Sequence, residues 1–230
     1  IEVLYGDTDS LFLKKPTQEQ IQTVIDQAKK DHGVDLEIDK TYRYCVLSNR
    51  KKNYLGVTKS GKVDVKGLTG KKSHTPAFIK KLFYEFVDIL SNVQTMEDFV
   101  KAKQKISEKI ATCGKKVEAK EIPLEDLTFN VMLSKAPSEY VKTIPQHIRA
   151  AKQLESIREI KKGDKISFIK ILNKPGVKPV ELAKKEEIDS KKYMEFMEST
   201  LEQITSSMDL DFDTMLGKPK QTGLDEFFWS

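Results

Sequence analysis

The stretch Val3-Leu4-Tyr5-Gly6-Asp7-Thr8-Asp9-Ser10-Leu11-Phe12-Leu13 decides how the chain is read, because apolar residues on both sides flank a turn of Gly, Asp, Thr and Asp. Turn formers between two apolar runs predict two strands joined tightly, a β-hairpin with acidic residues at its tip. Residues two apart in an extended chain project to the same side, so Asp7 and Asp9 can offer both carboxylates to one hard divalent cation. Two carboxylates do not fill an octahedral Mg²⁺ shell; the other ligands would come from substrate phosphates, water and a further acidic segment. A lone Asp-Thr-Asp is better read as an ordinary acidic turn, so the hairpin has to be weighed together with the residues C-terminal to it.

Outward from the hairpin, Thr17-Gln18-Glu19-Gln20 has the form of a capping box, and Ile21, Val24, Ile25 and Ala28 recur at helical spacing until Gly33. From Leu36 to Leu68 the pattern is strand-like, with Tyr42, Tyr44, Val46, Tyr54, Val57, Val63 and Val65 interrupted by the turn residues 59–62. Thr75-Pro76 opens a helix in which Ile79, Leu82, Phe83, Phe86, Val87 and Leu90 follow the i, i+3, i+4, i+7 template. Further helices are expected over Met96–Ala111, Pro145–Ile160 and Tyr193–Ile204, with a strand over Lys165–Leu172. The fold class expected is α+β: residues 1–69 form a mixed part, 70–217 a mainly helical part and 218–230 a flexible tail.

The chain has 230 residues, 38% of them hydrophobic, which is enough for one large domain or two small ones. Charge breaks every apolar run, so no membrane span and no signal peptide are expected, and a cytoplasmic protein is. The chain starts at Ile1 instead of Met, which suggests a chain that is processed, truncated or excised from something longer. Cys45 and Cys113, and the scattered His32, His74 and His147, fit no zinc spacing, and the cysteines read as reduced thiols. Net charge is +5, with many lysine doublets interleaved with acids, which is compatible with nucleic-acid contact and equally with a solvated surface.

The string YGDTDS between apolar strands resembles motif C, the palm hairpin of the family B DNA polymerases. Forty-two positions after Asp9 comes Lys51-Lys52-Asn53-Tyr54-Leu55-Gly56, similar to that family's KKRY element. Val65-Lys66-Gly67-Leu68 then leads through Lys71-Lys72 into the Pro-capped helix, as at the family's entry into the thumb. The resemblance implies a palm portion over 1–69 and a thumb over 70–217. It implies two-metal nucleotidyl transfer to a primer 3′ end, with Mg²⁺ held by Asp9 as principal ligand and Asp7 as the weaker one, while Thr8 sets the turn. It further implies that Lys52 and Tyr54, with Lys51 nearby, lie along primer-template DNA, positioning it without reading its sequence. Asn53 departs from the arginine common there and puts one phosphate contact in doubt. Lys71 and Lys72 are candidate duplex contacts.

In the tail, Gln221-Thr222-Gly223-Leu224-Asp225-Glu226-Phe227-Phe228 resembles the PCNA-interacting peptide of sliding-clamp clients. One 3₁₀ turn brings residues three apart to one side, so Leu224 and Phe227 can fill an apolar pocket with Phe228 beside them and Gln221 docked separately. A clamp peptide joined directly to the thumb suggests an archaeal-type polymerase acting at the nucleoid. The family's motif A aspartate and its dNTP-gripping motif B are absent. The chain is therefore expected to act only with a large subunit, or with the N-terminal remainder of the same polymerase. The alternative is a non-catalytic module that binds DNA and the clamp.

Overall fold

The structure, a computed structural model, describes residues 1–7, 10–47, 52–67 and 74–217. The chain divides into two compact units, Ile1–Gly67 and Leu68–Ser230.

The first unit opens with the expected hairpin, β1 (Val3–Asp7) and β2 (Ser10–Leu13), paired antiparallel with Tyr5 opposite Phe12 and Asp7 opposite Ser10. Helix α1 (Gln18–His32) begins at the capping box read from the sequence: the Gln20 amide donates to Thr17 Oγ1 at 3.2 Å and the Thr17 amide to Gln20 Oε1 at 2.9 Å. It ends on Gly33 in the left-handed conformation. Both ends are satisfied, yet α1 has no buried residue; its apolar stripe of Ile21, Val24, Ile25 and Ala28 is half-covered. Strands β3 (Tyr42–Leu47), β4 (Tyr54–Thr58) and β5 (Val63–Lys66) form an antiparallel sheet in that order. Alternation sends Leu55, Val57, Val63 and Val65 to one face, and Tyr54, Gly56 and Asp64 to the other.

The second unit is organised by three helices: α2 (Ala77–Ser91), α3 (Met96–Glu118) and α6 (Ser190–Thr205). Ile79, Phe83, Phe86 and Leu90 of α2, Ile106 and Ile110 of α3, and Tyr193, Met197 and Leu201 of α6 are each 0% exposed and form its core. Helix α3 starts on a reciprocal cap between Thr95 and Asp98, the Asp98 amide lying 3.1 Å from Thr95 Oγ1. After the short α4 (Leu124–Leu127) come β6 (Phe129–Met132), α5 (Gln146–Leu154), β7 (Lys165–Lys170) and β8 (Val177–Pro179), with the sheet ordered β6-β7-β8. Phe129 stacks on Phe168 across this sheet at 5.5 Å and meets Tyr193 of α6 at 5.9 Å. The buried Tyr193 hydroxyl donates to the Leu127 carbonyl at 2.8 Å and accepts the Lys170 amide at 3.0 Å, tying helix to sheet. A one-turn helix α7 (Phe212–Met215) follows α6.

Two expected boundaries are corrected. Helix α3 does not stop at Ala111 but continues through Gly114 to Glu118. Helix α5 stops at Leu154 instead of reaching Ile160: the amides of Ile157 and Arg158 both turn back to the Leu154 carbonyl, and Ile157 is 59% exposed. An apolar residue at helical spacing was there a surface residue. The strands β6 and β8 were not anticipated from the sequence.

Candidate functional site

The site is built on the hairpin and on the sheet behind it. Phe12 of β2 is the hub. Its ring meets Tyr5 edge-on at 5.5 Å, lies parallel to Tyr42 at 6.1 Å and meets Tyr54 at 4.9 Å. The hairpin that carries the aspartates is thus packed on the aromatic face of β3–β5. Such rings hold a geometry better than flexible aliphatic chains, because offset and edge-on pairs have preferred arrangements.

A hydrogen bond adds a direct link. The backbone N–H of Lys52 donates to the Tyr5 hydroxyl at 2.5 Å. Lys52 itself has φ +60, a left-handed conformation uncommon for a side-chain-bearing residue. Its carbonyl is pressed from the other side by Gly67, which has φ +66 and whose missing Cβ would fall on the Lys52 carbonyl oxygen and within 2.7 Å of Asn53 Oδ1. Gly56 is small for a similar reason: a Cβ there would stand 2.5 Å from the Tyr42 ring. Residues from three separate stretches, Tyr5, Lys52 and Gly67, are therefore brought into one constellation. Lys52 is exposed and Tyr54 half-buried beside it.

Asp64 is the carboxylate on this face whose surroundings are described. It accepts from Lys40 Nζ at 2.8 Å and from the Tyr42 hydroxyl at 2.7 Å. Partial burial works to raise its pKa, but the Lys40 and Tyr42 hydrogen bonds outweigh that and hold it below the usual carboxylate value. Burial, and then the bond to Asp64, pushes the Tyr42 hydroxyl well up, so it remains a donor. Asp64 is consequently a satisfied structural acid.

Of the residues expected at the site, Lys52 and Tyr54 are brought to the hairpin. Asp9 and the side chain of Asp7 lie outside the described residues, as do Lys51, Lys71 and Lys72, and Gln221, Leu224, Phe227 and Phe228 of the tail. Among the described residues no group of three or more His, Cys, Asp or Glu is placed to hold a metal ion. Among them, too, no helix is long and apolar enough to cross a membrane. Sequence reading missed the roles of Tyr5, Phe12 and Gly67. A signal for the first two existed: once Asp7 pairs with Ser10, the antiparallel register places Tyr5 opposite Phe12. Nothing local announced that Tyr5 would reach a residue 47 positions away.

A family model described as DNA polymerase family B matches residues 1–212. DNA polymerase 1 of Sulfolobus acidocaldarius is 40% identical over 231 residues, covering 100% of this chain and 26% of the relative. DNA polymerase 1 of Saccharolobus solfataricus is 41% identical over 229 residues, covering 99% of this chain and 26% of the relative. The chain thus spans about a quarter of the length of these relatives. Among solved structures, the family B DNA polymerase from Pyrobaculum calidifontis superimposes with a TM-score of 0.64 at 22% identity, over 88% of this chain and 26% of that one, a likeness of fold.

Proposed function

The chain belongs to DNA polymerase family B, and from that premise we propose that it is the motif C and thumb portion of a DNA-directed DNA polymerase, active once the portion bearing motif A and the fingers completes it. The observation that carries this reading is the Tyr5–Lys52 hydrogen bond. It supports a single rigid body in which the aspartate hairpin and the KKRY-like turn keep a fixed spacing, as aligning a primer end against reacting groups requires.

In this reading residues 1–69 are the end of the palm, 70–217 the thumb and 218–230 the clamp tether. Asp9, with Asp7, would hold divalent cations; an all-oxygen donor set suits Mg²⁺, and the two carboxylates fit it as part of a shell that the missing portion completes. Bound there, the ions would lower the pKa of the attacking hydroxyl and stabilise the leaving pyrophosphate. Lys52 and Tyr54, with Lys51, position the primer-template near its 3′ end. Lys71 and Lys72 neutralise duplex phosphates, which makes binding salt-dependent. Gln221, Leu224, Phe227 and Phe228 dock on a sliding clamp. The exposed Val3 and Leu11, at 55% and 54%, together with the half-covered stripe of α1, support a further polymerase portion lying on this unit.

The test is primer extension by this chain mixed with the portion carrying motif A, wild type against Asp9→Asn. Extension should fall on the order of 10³-fold, the scale on which removal of one charge-stabilising group acts. Extension that survives the substitution would instead support a module that binds DNA and clamp without catalysing.

A further inference from the structure

Helix α3 runs through a glycine at position 114, an unfavourable residue in a helix interior. Its surroundings give the reason. A Cβ at Gly114 would stand 2.5 Å from Leu216 Cδ2 and 3.3 Å from Met194 Cε. The missing side chain is a seat for Leu216, the first residue after α7.

The rest of α7 is fastened as well. Four residues of helix have no stability of their own. Here Asp211 caps the turn, accepting from the Thr214 amide at 2.8 Å and from its hydroxyl at 2.6 Å. Phe212 is 6% exposed, and α7 packs on both α3 and α6. The Leu216 amide bonds the Phe212 carbonyl, and Gly217, with φ +74, lies beside Ala111, Lys115 and Glu118 of α3.

We propose that α7 and Leu216, seated on Gly114, are an anchor that fixes where the clamp-binding tail leaves the thumb. The proposal rests on the reading of residues 221–228 as a clamp peptide. Between Gly217 and Gln221 the chain advances four residues, a reach of at most about 14 Å. A clamp held through this tail therefore stays close to the end of α7. A short tether raises local concentration only where its starting point matches the span to be bridged. Gly114 and Leu216 are thus positioning residues for the clamp, acting through the tail without touching the partner.

The test uses the full chain, completed by the remaining polymerase portion, with a ring-shaped sliding clamp. Two variants loosen the anchor and leave 218–230 intact. Gly114→Leu fills the seat with a better helix former, and Leu216→Ala empties it without altering α3. Hydrogen-exchange protection of residues 212–217 should fall at least about tenfold in both, as expected when a local unit is released. Clamp affinity measured in solution should stay within about twofold, while clamp-dependent product length shortens several-fold and clamp-independent extension is unchanged. Unaltered protection in both variants would overturn the anchor. So would unaltered product length after protection is lost. Failure of the clamp reading would be seen separately, as Leu224→Ala/Phe227→Ala leaving clamp binding intact while the protection measurement still reports on the seat.

Discussion

The two units place their apolar residues in different ways. Among the described residues of 1–67 the buried hydrophobic side chains are Val46, Leu55 and Val57, while Val3, Leu4, Leu11, Val34 and Ile38 stay exposed. In the second unit a continuous set from Phe78 to Phe212 is buried, drawn from α2, α3, α6 and the sheet. Helix α1 sharpens the contrast: its capping is as complete as that of α3, yet it buries nothing where α3 buries five residues. Capping sets where a helix starts and stops, but a covered apolar face gives it most of its stability. The second unit supplies its own cover. The first is organised around rings and hydrogen bonds, with apolar area left exposed.

The largest expected effect comes from separating the two. Residues 68–217 produced alone should unfold in one cooperative transition, whereas 1–67 alone should show amide protection lower on the order of 10³-fold by hydrogen exchange. Equal protection would erase the contrast. Next in size, Phe86→Ala should cost about 3–5 kcal/mol, because its ring is 0% exposed in the α2 core. Leu11→Ala, at a side chain 54% exposed, should stay within about 0.5 kcal/mol in denaturant unfolding of the chain. Comparable losses would mean that the hairpin is better supported than its exposure indicates.

The smallest effect concerns acid. The folded pKa of Asp64 lies below its unfolded value, so its contribution is present above the unfolded value, near 3.9, and is lost as pH falls through the folded one. Asp64→Asn should remove that acid-side dependence from the first unit, an effect kept small, and weakened further by salt, because Lys40 is 41% exposed. A pH titration of stability for the two proteins reads this directly.

Much of the fold was legible where local chemistry decides it. Thr17 and Gly33 mark the ends of α1, the turn at 59–62 separates β4 from β5, and the α2 stripe is buried as its periodicity requires. Legibility failed where a distant partner decides. Helix α3 reads as ending at Ala111, whereas it runs on through Gly114 with Leu216 placed against it, and Ile157 reads as helical until the turn at Leu154 exposes it. The strand β6 is four residues long with Met132 71% exposed, too brief for alternation to register. At the site, the Lys52–Tyr54 turn was marked by its likeness to the family's KKRY element. Its joining to Tyr5 depends on a contact between segments that only folding brings together.

Gly67 has one more consequence. Its backbone lies against the carbonyl of Lys52 at the point where the chain leaves the first unit. Any other amino acid would bring both a disfavoured φ and a collision with that oxygen. Under random mutagenesis residue 67 would therefore tolerate substitution poorly. That intolerance would arise from a neighbour's main chain.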